Sequence, residues 1–539
     1  MNLIDRAIGF ISPVRQVERA RARLQLRRIE VAASAMSGYE AAKRERAALR
    51  YFNASPRTAD EDVLPGLDAL RARSRQMMMN APIARGAVQT AVTNVVGAGL
   101  RVSAQPDRAA LRTLASVSEI QVGAFEDAAQ REWRLFNRKE HADIHARLSF
   151  RRMQDLVFRS VLVSGDCFVA VVQARKGTPF DFALQVIEAD RVCNPNYRSD
   201  TETLAGGIEY DDAGTPVAIH VAEIPRGGGA KRNWRRLPMR APDGAPRVLH
   251  LMQQERIGQS RGVPYLAPVI GPLKDLDRYS EAELTAAVLN ASIAIVSQNA
   301  DGAADIAENA ARTGQAQPGF LRANIEFEPG MVLEGFAPNE GPKSFAADRP
   351  NAGFDPFVQA VLRQVGVALE LPFEVLVKHF TASYSAARAA LLQAWSFFRV
   401  RREWLAEELC QPVYELVLRN AILRGRVAAP GFLEDAAMRA AWSATRWTGP
   451  SMGQIQPQTE IRAAREAVEA RFASRTRIAA EIFGDDWEAV EDELAWEDER
   501  IGGARPGDPL TGRGAPPPVE QPSDAGDAED ETEQERNAA

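Results

Sequence analysis

The sequence predicts an α+β, mainly helical chain, and three observations carry that expectation. Apolar residues recur at helical spacing over long stretches, at 64–99, 118–164, 264–298 and 384–424. Between them, 167–252 holds short β-branched runs punctuated by turn residues. The chain is 539 residues long with 45% hydrophobic and 26% charged side chains. At about 150 residues per domain that is enough for roughly three or four packed regions.

Charge and cysteine usage narrow the function classes. The 66 basic and 72 acidic side chains leave a net charge of −6, so any nucleic-acid contact must be local. Cys167, Cys193 and Cys410 are too scattered for a disulfide framework or a zinc knuckle, and they point to a reducing compartment. Asp5 and Arg6 interrupt the opening apolar stretch, so no export signal is expected. The most apolar run, Ala286 to Val296, is well short of the roughly 20 residues of a membrane span, and no membrane partner is expected.

Taken in order, residues 1–63 read as a basic arm: 1–50 hold eleven Lys or Arg against five acids, with little apolar surface. A solvated or partner-bound arm and a nucleic-acid contact are both compatible with that pattern. From Leu64 to Gly99, Leu67, Leu70, Ile83, Ala87, Ala91 and Val95 keep helical spacing, and Asn80-Ala81-Pro82 breaks the run into two helices. Gly97 and Gly99 follow a helix and lack the third glycine of a dinucleotide loop, so they mark a helix stop before a strand. The stretch 118–164 is expected helical with Trp133, Phe136, Leu156, Val157 and Val161 in the core. His141 and His145, four apart, have no third ligand or HExxH glutamate and read as ordinary histidines.

Strands are expected at 167–174, 182–188, 206–223 and 246–252, with a hairpin turn at Asp211 to Gly214. Helix resumes at Pro264 and is rich in small residues to Gln298. Residues 301–350 break up with Gly and Pro around the β-like patch 324–336, and helix returns near Asp355. After Leu371-Pro372, Lys378 to Ser383 is polar and irregular; a long helix then runs from about Tyr384 to Arg424, with Pro412 as its expected kink. Two more helices are expected at 459–472 and 476–501. From Gly502 the chain has six Pro and six Gly, and its last twenty residues hold eight acids and one Arg, the composition of a disordered acidic tail.

The sequence contains no GxxxxGK[ST] loop, GxSxG elbow, HExxH pair or cysteine cluster. The adjacent acids Asp211-Asp212 and Asp485-Asp486 read as solvated turn residues. No catalytic residue, cofactor or metal is therefore expected, and a non-enzymatic role is favoured.

A series of strings nevertheless resembles one family, the lambda-type portal proteins of tailed phages. They are Asn80 to Leu100 (NAPIARGAVQTAVTNVVGAGL), Leu162 to Val169 (LVSGDCFV), Ile187 to Val192 (IEADRV) and His250 to Ile270 (HLMQQERIGQSRGVPYLAPVI). The series continues, in order, with Leu273 to Leu284, Leu371 to Trp395 and the WTGP of Trp447 to Pro450. The chain departs from the family pattern after WTGP, at Met452 to Pro457, and in the details of His379-Phe380 and Ala382-Ser383.

The resemblance implies a homo-oligomeric ring, usually a dodecamer, at one capsid vertex, with double-stranded DNA passing through it. It also implies wing, stem, clip and crown regions. By order these are a wing at 64–271, a first stem helix at 272–300, a clip at 301–350 and a second stem helix at 351–371. A tunnel-loop region at 372–383, a long wing helix with its following segment at 384–450, crown helices at 451–501 and the tail at 502–539 complete the chain. The implied channel residues are Lys378, His379, Phe380, Thr381, Ser383 and Tyr384, with Arg388 in the helix wall behind them and Ser383 as a helix N-cap. Close stem packing falls to Ala282, Ala286, Ala287, Ala291 and Ala294. Expected partners are the terminase large subunit, the major capsid or scaffolding protein and a head-tail connector; the place is the virion's portal vertex, reached by assembly in the host cytoplasm. Two other classes stay open: a different head-to-tail connector, which would be shorter, and a nucleic-acid-processing enzyme, which would show turnover sensitive to an acidic substitution.

Overall fold

The computed structural model describes residues 54–223, 233–292, 296–299, 340–343, 353–380, 383–454 and 456–501, together with Gln25. The first long helix, α1 (Ala59–Asn80), starts inside the stretch assigned to the basic arm, because Thr58 and Glu61 form a capping box. Pro82 opens α2 (Pro82–Val95) at the break expected from Asn80-Ala81-Pro82. Gly97 and Gly99, both at positive φ, then turn the chain into β1 (Arg101–Ala104). Next come α3 (Arg108–Ala115), α4 (Glu119–Phe136), a single helical turn at Lys139–Ala142, and α5 (Phe150–Ser164). The helical expectation for 118–164 thus needs a correction at 137–149, where the chain reverses. Leu156 also differs from expectation, standing 40% exposed on the outer face of α5 while Val157 and Val161 are buried.

The strands are β2 (Asp166–Gln173), β3 (Phe182–Glu188), β4 (Leu204–Ala205), β5 (Ile208–Tyr210), β6 (Pro216–Glu223), β7 (Asn233–Pro238) and β8 (Val248–Met252). They form two antiparallel sheets, of order β3-β2-β8 and β4-β5-β6-β7. The Asp211 turn joins β5 and β6 as expected: its carboxylate accepts from the N–H groups of Ala213 and Thr215, and Gly214 takes φ 78°. The arginine-bearing strand β7 had no apolar alternation to announce it. Alternation along β2 organises the core: Cys167 and Val169 face the helices, while Phe168 and Ala170 pack with Ile187, Ile208 and Ile219 between the sheets.

Helix α6 (Ile270–Ser292) is followed by β9 (Val296–Asn299), which pairs with β10 (Glu340–Lys343). The first stem helix expected over 272–300 therefore ends early, and a strand occupies its last residues. The patch at 324–336 and most of the expected clip lie outside the described residues. Then follow α7 (Phe354–Ala368), α8 (Phe373–Val377), α9 (Tyr384–Leu405) and α10 (Gln411–Leu423). Between α9 and α10, Ala406–Cys410 forms a π-turn in which the Gln411 N–H reaches the Ala406 carbonyl. Pro412 sits at the start of α10, so the extra residue of the π-turn absorbs the proline within one continuous helical path.

The chain closes with α11 (Ala436–Ser443), β11 (Thr445–Thr448), α12 (Pro457–Glu469), α13 (Arg475–Ile478) and α14 (Trp487–Ile501). The helix expected over 476–501 is broken at Gly484, which adopts φ 70°, with Asp485 and Asp486 in the turn. Strand β11 pairs antiparallel with β1, joining the segment after α11 to the one after α2. The main core lies where α4, α5, α10 and β11 meet, with Trp133 against Phe150, Tyr414 and Trp447 at 5.1, 5.6 and 5.5 Å between ring centres. Ala84, Ala87 and Ala91 let α1, α5, α8 and α9 close around the buried helix α2. Among the described residues, no helix is long and apolar enough to cross a membrane.

Candidate functional site: an exposed loop and a buried charge cluster

The polar break at 378–383 lies between two anchored helices. Helix α7 ends in a tight return in which the Leu371 N–H donates to the Gly366 carbonyl at 2.9 Å, and a Cβ on Gly366 would crowd the Leu371 carbonyl. The Tyr265 hydroxyl donates to the Leu369 carbonyl and ties the return to the segment that leads into α6. Pro372 starts α8, which buries Val375 and Leu376 and packs on α2 and α9. Lys378 then takes the left-handed conformation at φ 57°, and the His379 N–H closes the helix on the Glu374 carbonyl at 3.1 Å.

Lys378, His379 and Phe380 all emerge into solvent, with Phe380 49% exposed. Lys378 has no ion-pair partner among the described residues. Thr381 and Ala382 lie outside those residues, as does the side chain of Tyr384, whose backbone opens α9. Ser383 occupies the N-cap position, where its carbonyl accepts from Ala387 N–H at 3.0 Å, but its side chain makes no capping hydrogen bond. One turn into α9, Arg388 pairs with Glu460 of α12 at 2.9 Å.

Of the residues assigned to close stem packing, Ala282 and Ala287 are exposed on α6 and Ala286 is half-buried. Ala291 is on the last turn of α6, with its surroundings outside the described residues, and Ala294 lies outside them altogether.

Farther along α9, Arg402 explains two family strings at once. Its guanidinium donates to the Asn94 and Val95 carbonyls at the end of α2, at 2.9 and 3.2 Å, and to the Pro450 carbonyl at 2.7 Å. Burial, reinforced by nearby Arg399, lowers its pKa to about 10, so it stays charged at neutral pH. Side chains on Gly97 and Gly449 would collide with Pro450 and Arg402 respectively. The VGAG and WTGP strings are thus the two halves of one close contact.

A second constellation was not singled out by the sequence. Asp166, fully buried at the start of β2, accepts from Arg261 Nε and Nη2 at 2.6 and 3.1 Å, Arg71 Nη2 at 2.9 Å and the Gly262 N–H at 3.3 Å. His250 Nε2 lies 3.4 Å from the same carboxylate, its ring stacked on Phe168 at 4.2 Å. Arg261 also donates to the carbonyls of Ala189, Val192 and Gly206. Burial alone would raise the Asp166 pKa; Arg261, His250 and Arg71 outweigh it and hold the carboxyl well below the usual range. Burial lowers the pKa of His250, which keeps it neutral at pH 7 and makes Nε2–H the donor.

The strings LVSGDCFV, IEADRV and GQSRGVP meet here, with Gly165 and Gly262 pressed backbone to backbone. The available signal was an acid opening an otherwise apolar strand. The carboxylate oxygens are taken up by donors from three parts of the chain, which makes Asp166 a structural hub.

His141 lies in the single turn Lys139–Ala142 and His145 in the reversal after it, so the pair does not share a helix face. Among the described residues, no three His, Cys, Asp or Glu side chains gather in metal-binding geometry.

Residues 45–402 match the family described as "Phage portal protein, lambda family", and the chain belongs to it. The chain is 24% identical over 463 residues to the "Portal protein" of Escherichia phage N15, covering 82% of this chain and 86% of that one. It is 24% identical over 462 residues to "Portal protein B" of Escherichia phage lambda, covering 82% and 85%. Among solved structures, a chain from the virion of a native gene transfer agent particle aligns over 77% of this chain and 92% of its own, at 14% identity and TM-score 0.39. The family is a structural one, and the elements found here are α+β and mainly helical.

Proposed function

We propose that the chain forms a closed homo-oligomeric ring, a dodecamer in the particle, at one capsid vertex, and that double-stranded DNA is packaged and ejected through its channel. The observation that carries this reading is the loop at 378–383, whose Lys378, His379 and Phe380 are exposed and which is set between α8 and α9. One such loop per subunit stands at a common radius once subunits close into a ring. Lys378 then supplies one charge per subunit for transient phosphate contact, and Phe380 an apolar edge. A sparse set of charges suits passage, because every neutralised phosphate releases counterions and tightens binding.

Apolar side chains left exposed on the stem support ring closure. Leu284 on α6 and Phe357 and Val367 on α7 are 66%, 50% and 81% exposed in the single chain. In this reading 64–271 and 384–450 are wing, 272–300 and 351–371 stem, 301–350 clip, 372–383 the tunnel-loop region and 451–501 crown. The clip docks a separate terminase large subunit, which supplies ATP hydrolysis. Other surfaces meet the major capsid or scaffolding protein and the head-tail connector. The ring acts at the virion's portal vertex after assembly in the host cytoplasm.

Replacing 378–383 with a Gly/Ser linker is expected to leave rings intact and impair DNA packaging or retention. Normal yields of filled, infectious particles from that variant would remove the loop's role.

A further inference from the structure

The chain is acidic overall, yet one surface of the wing is strongly basic. Between Arg134 and Arg152 the exposed cations are Arg134, Arg138, Lys139, Arg147, Arg151 and Arg152, and Glu140 is the exposed carboxylate among them. Asp143, the other acid of this stretch, is turned inward: its carboxylate accepts the N–H groups of His145, Arg147 and Leu148 at 3.0, 2.9 and 3.1 Å. The reversal at 137–149 gathers these cations. Asn137 accepts the N–H groups of Phe150 and Arg151 at 3.2 and 3.1 Å, placing the first turn of α5 against the end of α4.

Some exposed arginines elsewhere have carboxylate partners: Arg108 pairs with Glu119 and Glu126, Arg236 with Glu209, and Arg419 with Asp243. In the basic patch, Lys139 and Glu140, 4.0 Å apart, form the only ion pair among the described residues. Arg151 and Arg152 also occupy the first turn of α5, where the helix dipole disfavours a cation, and no carboxylate among the described residues offsets their charge.

The patch borders the crown. The Arg151 side chain packs on Gly99, and Arg101, two residues on, pairs with Asp485 between α13 and α14.

We propose that these six residues form a second DNA-contacting surface on the outside of the ring, where the duplex phosphate backbone lies without threading the channel. The inference rests on the portal reading only for the identity of the polyanion; the contact itself is electrostatic and independent of base sequence.

The test uses purified full-length protein and covalently closed circular duplex DNA, which cannot thread a closed ring. Binding is followed as salt is raised from about 50 mM. The variant R138Q/R147Q/R152Q spares Arg151, whose stem packs on Gly99. It is expected to weaken binding at least tenfold and to flatten the plot of log affinity against log salt by about 0.9 for each phosphate that is no longer neutralised. R134Q/K139Q, altering the same surface at different positions, is expected to weaken binding about threefold, and the Gly/Ser channel-loop variant to bind as wild type.

Absence of circular-duplex binding by wild type at low salt would overturn the proposal in favour of an acidic protein partner. Unchanged affinity in both patch variants would overturn it as well. Loss of the ring in both would assign the patch to subunit contacts. Normal packaging by the channel-loop variant, with circular-duplex binding intact, would count against the channel reading alone.

Discussion

Replacing Asp166 with Asn tests how α1, β2 and the segment before α6 are held together. The substitution keeps the size of the side chain and removes the negative charge that Arg71 and Arg261 share, while both guanidinium groups are left only 3% and 2% exposed. The amide can still accept one of the donors that converge on the carboxylate, and its own N–H groups then face other donors. Removing one partner from a buried ion pair costs about 3–5 kcal/mol, because the remaining charge stays desolvated and unpaired. The core this hub adjoins runs from Met77 to Trp442; each kcal/mol shifts the melting temperature by roughly 2–4 °C for 150–250 residues and by less for a larger unit. The melting transition should therefore fall by several degrees, up to about 20 °C, read by differential scanning calorimetry of the full-length protein. Asp485→Asn, which removes a half-exposed partner from Arg101, serves as a surface control and should shift it by less than about 3 °C. Equal, small shifts for the two variants would refute the assignment of Asp166 as the hub.

Three further outcomes follow from the same geometry. His250 is neutral when folded, with its pKa lowered by burial, so the unfolded chain takes up a proton first as pH falls below about 6.5. Stability should decline on acidification by at most about 1.4 kcal/mol per pH unit from this group, and melting curves of His250→Gln between pH 7.5 and 5.5 should show a shallower decline than wild type. Gly165→Ala places a methyl group on the Gly262 carbonyl at a φ of 90° and should cost about 3 kcal/mol or more, whereas Gly214→Ala, at φ 78° in open space, should cost about 1 kcal/mol; comparable melting temperatures would contradict this. Leu284→Asp, on the exposed stem face, should leave the subunit folded but shift native mass spectra from rings to smaller species, and unchanged rings would move the subunit contact elsewhere.

Much of the helical frame was legible because local chemistry and tertiary packing agree. The break at Asn80-Ala81-Pro82, the glycine stop before β1 and the start of α9 at Tyr384 each have a residue that forces the backbone to change course. The turn at Asp211 was legible for the same reason. Periodicity could not reveal the reversal at 137–149, since it depends on Asn137 capturing the first turn of α5 and on Asp143 satisfying three amides within the turn. The π-turn at Ala406–Cys410 was equally hidden, because Pro412 signals a break and only the packed helix shows that one extra residue absorbs it. For the candidate site, the loop's place between two helices could be read directly. The Asp166 hub could not: its donors lie 84 to 96 residues away in sequence, apart from any spacing rule.

The central claim is that this chain closes into a ring whose narrowest point is lined by the loop at 378–383. Cryo-electron microscopy of the purified full-length protein tests it most directly. The account predicts closed rings, twelve-fold in the particle, with α6 and α7 lining subunit contacts and one loop per subunit projecting into a central channel. Monomers or dimers at all concentrations, including with capsid partners present, or a ring with 378–383 on its outer rim, would contradict it.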